Sequence, residues 1–405
     1  MNTNTAIRRY TFALLFGAMI FNMCQNLTGS VLSDIMTDYS ISLDRGGLMS
    51  LFQHGGGIAA ILLLSRVLDR VRKPVVLMIS FSVIALMLLG IGFFPPFMVF
   101  LIFYLAMGAG LSVTDVQQNA VISELHQDNI QSVLSLLHGV CGIGATIIPV
   151  ITAVLGTGNW QRIYRIVAAV ILAVVVMEAV FYTSGREVID GCSPGVRARS
   201  KENGSASGAG KHAGTDTRKF FSDKNVWTAA ASMLCFGVAQ GGVIAWGVKY
   251  SRDVFPDAGP LQWALSLSFY WLGTTVCRLL MGIVPALKEW DSRKVIIWGG
   301  ILAGGALLAG LLTGNITGLL AGIIVFGFLS GATLPKLVGF MNSWYPSQTG
   351  LASGVTFIAL YLGLGLFPLL MGVIAASAGM LMMMMVPVAG TVLSGVIGIA
   401  LPPER

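Results

Sequence analysis

This sequence is short of charge. Only 11% of its 405 residues are Asp, Glu, Lys or Arg, while 55% are hydrophobic and the mean hydropathy is +0.80. An ordinary soluble domain carries about 25% charged residues, so this chain cannot coat a water-facing surface. Cysteine is sparse too. Cys24, Cys141, Cys192, Cys235 and Cys277 are scattered, with no metal-ligand spacing and no disulfide framework, and read as small buried apolar residues. No G-x-x-x-x-G-K-[ST] phosphate loop occurs, which disfavours ATP coupling within the chain. The net charge of +7 is spread over loops between apolar stretches, a topology signal and not a nucleic-acid footprint.

What is present is a series of long apolar runs, each of about 20 residues, enough for a bilayer-crossing helix. They do not alternate in the ~10-residue pattern of barrel strands. Spans are expected near residues 10–33, 46–67, 74–94, 96–122, 131–155, 163–183, 226–250, 260–284, 294–313, 316–342, 350–375 and 380–401. The first has Arg8 and Arg9 before it, as a signal peptide would, but continues through "FNMCQNLTGSVL" without a small-residue cleavage site, so an uncleaved span is expected. With the N-terminus inside, eighteen of the 25 Lys and Arg fall in cytoplasmic segments and five in outside loops. That bias puts both termini in the cytoplasm of a multi-pass cell-membrane protein.

Between spans six and seven, "GREVIDGCSPGVRARSKENGSASGAGKHAGTDTRK" is rich in Gly, Ser and charge and reads as a cytoplasmic linker. It divides the chain into an N-terminal six-helix bundle (1–183), a linker (184–222) and a C-terminal six-helix bundle (223–405). An internal repeat agrees: "FGAMIFNM" from Phe16 pairs with "FGVAQGGV" from Phe236, and "GATIIP" from Gly144 with "GLGLFP" from Gly363. Parallel six-span repeats are the architecture of major facilitator transporters. The expected fold is therefore an all-α polytopic membrane protein, twelve transmembrane helices in two pseudo-symmetric bundles.

The loop "SRVLDRVRKP" resembles the facilitator signature G-x-x-x-D-R-x-G-R-[RK]: Asp69 and Arg70 match, Ser65 replaces the first glycine and the inner glycine is missing. "LLHGVCGIGATIIP" in span five, "FYWLGTTVCRLLMG" in span eight and "GLASGVTFIALYLGLGLFPLLMGVIA" in span eleven resemble the fucose-permease-like branch, which includes sugar/proton symporters. The resemblance implies a secondary transporter, with an acid in span four serving proton coupling and sugar binding. Asp115 matches that acid. The branch's span-one acid has no counterpart here; its place falls near Gly29.

An ionised carboxylate inside a membrane costs several kcal/mol, so Asp115 is a functional candidate. Asp115, Gln118 and Asn119 share one helix face, as do Asn22, Gln25, Asn26 and Gly29 in span one. Gln53 and His54 in span two and His138 in span five add polar groups, the histidines titrating near neutrality. In the second half the candidates are Gln240, Trp246, Tyr270 and Lys336. The rings could stack on the C–H faces of a sugar, and Lys336 stands at a repeat position close to that of Asp115. Asp69, Arg70 and Arg278 are expected to serve structure or gating, and Glu124 and Glu178 to be solvated or gate-paired near span ends.

Together these readings give an alternating-access transporter for a small polar solute, a sugar or related compound, coupled to protons through Asp115. The alternative is an exporter of organic anions or drug-like compounds with Lys336 as the anion site. The expected partners are a small-molecule substrate, the proton and the lipid bilayer. The protein is expected to be monomeric and not an enzyme, with no cofactor, metal or nucleic acid.

Overall fold

The computed structural model describes residues 3–68, 71–155, 158–192, 213–284, 287 and 290–402. Twelve helices in it are long and apolar enough to cross a membrane. In chain order these are α1 (Thr3–Asp38), α2 (Leu48–Leu68), α3 (Lys73–Ile91), α4 (Phe97–Leu125), α5 (Ile130–Leu155) and α6 (Trp160–Cys192) in the first half. The second half holds α7 (Lys224–Val254), α8 (Pro260–Ile283), α9 (Ser292–Leu312), α10 (Ile316–Trp344), α11 (Thr349–Ala378) and α12 (Met380–Gly398). Asp69, Arg70 and most of the expected linker lie outside the described residues.

Three of the helices start at a side-chain cap that the sequence supplies. Asp223 accepts from the Asn225 amide (2.9 Å) before α7, Asp291 from Arg293 (2.8 Å) before α9, and Asn315 from Gly318 (2.8 Å) before α10. Between α11 and α12 the chain turns through Gly379 at φ +91°, a conformation that side-chain-bearing residues rarely adopt. The repeat prolines Pro149 and Pro368 lie inside α5 and α11, at matching places in the two halves.

Two features depart from the hydropathy pattern. α6 kinks at Gly185 (φ −122°, ψ 15°), close to the expected bound at 183, and a polar helical segment continues from there to Cys192, tied down where Tyr182 donates to Asp190 (2.9 Å), which Arg72 also meets at 3.3 Å. α10 is interrupted between Ser330 and Thr333. Pro335 explains part of the break. It has no N–H to offer the carbonyl four residues earlier, which belongs to Gly331.

The halves meet along three seams, α1 on α7, α2 on α11, and α5 on α8. Small residues make the first of these possible. A Cβ on Gly29 would stand 2.0 Å from the Ile244 carbonyl oxygen, so α1 and α7 cross backbone to backbone there. That crossing explains why no acid occupies this part of span one.

Candidate functional site

The polar residues of the membrane region gather at the seams. A cavity of about 210 Å³ is lined by Gln25 of α1, Gln53, His54 and Gly57 of α2, Gly108, Leu111 and Ser112 of α4, and Tyr361 of α11. Both halves contribute to it. His54 is held by a 2.9 Å hydrogen bond between Nδ1 and the Ser50 carbonyl. A carbonyl only accepts, so Nδ1 carries the proton and Nε2 of the neutral ring is left as an acceptor. The His54 ring lies 5.8 Å from that of Tyr361.

Tyr361 links this cavity to Asp115, with which it interacts electrostatically. Asp115 also feels Arg278 of α8 and Cys141 of α5, so its carboxylate faces the other helices, while the neighbouring Val116 is 51% exposed on the outside. Asn119 Nδ2 donates to both the Asp115 carbonyl (2.8 Å) and Oδ1 (3.2 Å), one turn of α4 holding the acid in place. Arg278 and Asp115 make no direct ion pair. Instead Arg278 Nε donates to the Gly331 carbonyl at 3.1 Å, the group that Pro335 leaves without a helical donor. The break in α10 thus anchors the guanidinium, which also acts electrostatically on His138 and Tyr270. His138 is exposed and Asp115 and Asn119 are partly exposed.

The other candidates divide. Asn22 is buried against Cys141. Asn26 donates to the Asn22 carbonyl (2.9 Å) and accepts from Trp271 Nε1 (2.6 Å), a bond across the two halves. The span-one face is therefore split between cavity lining by Gln25 and helix contact by Asn26 and Gly29. Gln118 and Gln240 are buried, each with one amide atom lacking a partner. Trp246 is fully buried and donates to the Pro368 carbonyl (2.9 Å), and Tyr270 packs between Trp271 and Phe326. These two rings are packing groups in this conformation, with no face open to a solute.

Lys336 is not brought to Asp115. Its Nζ donates to the Trp290 carbonyl at 2.9 Å, in the connection between α8 and α9, because a four-carbon stem allows an ammonium near a helix end to reach polar groups outside. Arg278 holds the position expected of Lys336. Glu124 pairs with Lys73 at the ends of α4 and α3. Glu178 is a further correction: it is fully buried, neither solvated nor gate-paired. Sequence reasoning passed over Tyr361 and Ser112, whose only local signal is a polar atom within an apolar, glycine-rich span.

Twelve helices in two bundles, with a polar tract where the bundles meet, define a secondary transporter of small molecules embedded in lipid. The chain belongs to the Major Facilitator Superfamily, whose sequence profile matches residues 14–286. No curated protein matches it in sequence. Among solved structures it is similar to a bacterial homologue of the human lysosomal transporter Spinster. The inward-facing, unoccupied form is 14% identical, with a TM-score of 0.68 and coverage of 98% of this chain and 96% of that one. The inward-facing, occupied form gives 14% identity, 0.68, 96% and 95%. At that identity the likeness concerns the fold.

Proposed function

We propose that this chain carries a small polar solute, a sugar or related compound, across the cell membrane by alternating access, as a monomer with both termini in the cytoplasm. The observation that carries the reading is the shared cavity. Amides from Gln25 and Gln53, the His54 imidazole, and the Ser112 and Tyr361 hydroxyls offer donors and acceptors without a fixed charge, which suits a polyhydroxylated solute. Placement in the fucose-permease-like branch rests on the motifs in spans five, eight and eleven.

Asp115 is the proposed proton-coupling group. It sits beside the cavity through Tyr361 and opposite Arg278, so a change in protonation alters the charge balance of the tract as the halves move. A second reading, organic-anion transport, is supported by Arg278: its Nε is committed to Gly331, and its charge is directed toward the tract.

The test uses the purified protein and proteoliposomes. A ligand for the folded state raises apparent stability by mass action, so a melting screen across sugars, amino acids and organic acids separates the two readings. Neutral sugars alone raising the melting temperature supports the first; organic anions alone supports the second. Asp115→Asn is expected to abolish proton-driven accumulation while sparing exchange of the solute across the membrane. Full uphill transport by Asp115→Asn would remove Asp115 from the coupling role.

A further inference from the structure

A second carboxyl, remote from the polar tract, has no place in that reading. Glu178 lies about four turns from the end of α6, and its relative exposure is 0%. Both carboxylate oxygens are buried without a hydrogen-bond partner. Room for the group is made by Gly17 of α1, where a Cβ would come within 3.1 Å of Glu178 Oε1 and 3.2 Å of Phe81. From α1 the facing titratable group is Tyr10, whose hydroxyl is also buried without a partner and which interacts electrostatically with Glu178. From α3 the neighbour is Phe81, and that helix has no ionisable side chain beyond Lys73 at its start. On α6 itself Tyr182 and Asp190 act on Tyr10, and among the described residues no cation acts on Glu178.

An ionised carboxylate with neither partner nor water is among the costliest groups a membrane protein can bury. A carboxylic acid is far cheaper. We propose that Glu178 is a proton-binding site of the N-terminal bundle, occupied while α1 and α6 are packed as they are here. The proton adds to one carboxylate oxygen as an O–H bond and comes from water at the end of the molecule that bears the termini. The route is marked by Tyr10, by Tyr182, whose ring centroid lies 6.2 Å from that of Tyr10, and by Asp190, which accepts from Tyr182 and meets Arg72 at the surface.

The site has a mechanical consequence. α1 also carries Asn26, bonded to Trp271, and Asp34, bonded to Arg252, both across the halves. Loss of the proton would leave a bare charge between α1 and α6 and loosen the helix that makes those contacts. Proton occupancy at Glu178 thereby biases the junction, independently of which solute is carried and of Asp115.

The experiment is infrared spectroscopy and thermal melting of the full-length protein in lipid nanodiscs, comparing wild type with Asp115→Asn, Glu178→Gln and Tyr10→Phe. At neutral pH the C=O stretch of a protonated carboxyl should persist in Asp115→Asn, vanish in Glu178→Gln, and shift in Tyr10→Phe. The folded state here holds a proton that the unfolded chain releases, so the contribution of Glu178 to the melting temperature should fall in wild type as pH rises from the free-carboxylate range, about 4.3, through neutral. Glu178→Gln should flatten that fall. If Glu178→Gln does not fold, the Asp115→Asn and Tyr10→Phe spectra decide alone. The proposal is overturned by a carboxyl band absent at neutral pH, by one that Tyr10→Phe leaves unmoved, or by identical pH profiles in wild type and Glu178→Gln.

Discussion

Replacing Arg278 by alanine removes two things at once: the donor to the Gly331 carbonyl in the α10 break and the positive charge facing Asp115. A buried carbonyl left without its donor costs about 1–3 kcal/mol, so Arg278→Ala should lower the melting temperature and also abolish coupled transport. Arg278→Lys should restore the charge without the planar Nε–H, leaving partial transport and incomplete stability. Lys336→Ala is the contrast. Lys336 reaches an accessible loop carbonyl and not the polar tract, so the expected loss of stability is small beside that of Arg278→Ala and uptake should persist. Uptake assays and melts of the three variants side by side would reverse the assignment if Lys336→Ala proved the more damaging. The sequence places both bases inside apolar runs, and its repeat offset favours Lys336 over Arg278, the reverse of the arrangement found. What separates them is a proline one residue before Lys336, whose missing N–H acts on a carbonyl in the next turn and, through it, on another helix. Asp115 was legible because a carboxylate in hydrocarbon stands out from any neighbour. Tyr361 and Ser112 were not, since a hydroxyl in a span is as often a packing group as a site.

Elements were read from the sequence wherever hydrocarbon alone decides them. The apolar runs of α3, α9 and α11 are found within a few residues of their expected bounds. The apolar part of α6 ends at the Gly185 kink, near its expected bound, whereas the helical continuation to Cys192 is polar, stabilised by Tyr182, Asp190 and Arg72, and hydropathy scores it as loop. Backbone crossings are equally invisible to hydropathy, and they carry a prediction about span one. Introducing the carboxyl that the fucose-permease-like branch has there, as Gly29→Asp, would drive a Cβ to 2.0 Å from the Ile244 carbonyl and force α1 from α7. Overpacking of this kind costs about 1–3 kcal/mol or more. Gly29→Asp should therefore yield a protein that melts well below wild type or fails to accumulate. Gln25→Glu, one turn earlier and lining the cavity, should fold. Equal stability of the two variants in detergent melts would mean that α1 and α7 are not held in this crossing.

For the whole molecule, the decisive contacts join residues far apart in the chain. At the end opposite the termini, Arg252 of α7 bonds Asp34 of α1 at 2.7 Å across 218 residues, and no local pattern announces it. Asp34 Oδ2 also accepts from the Gly158 amide at 3.3 Å, and the Arg252 guanidinium lies 5.7 Å from the Trp263 ring centre. Together these groups roof a cavity of about 380 Å³ that is lined by Ser30, Thr152, Ala153 and Ala264 among others. Their position makes them a latch between the halves at the far end. The latch cannot be strong. Arg252 is 35% and Asp34 13% exposed, and accessible ion pairs contribute about 0.2–1 kcal/mol. Such a contribution shifts a two-state equilibrium by at most roughly fivefold, which suits a contact that must break in every cycle. Arg252→Gln should raise the population open at the far end by up to that factor. A cysteine introduced as Ala153→Cys, under the latch, reports it through the rate of labelling by a membrane-impermeant thiol reagent. The exchanged pair Asp34→Arg with Arg252→Asp should bring the rate back toward wild type, because the attraction across the halves is restored even though the Gly158 contact is lost. A labelling rate that Arg252→Gln leaves unchanged would show that the far end is held by the α1–α7 and α2–α11 seams alone.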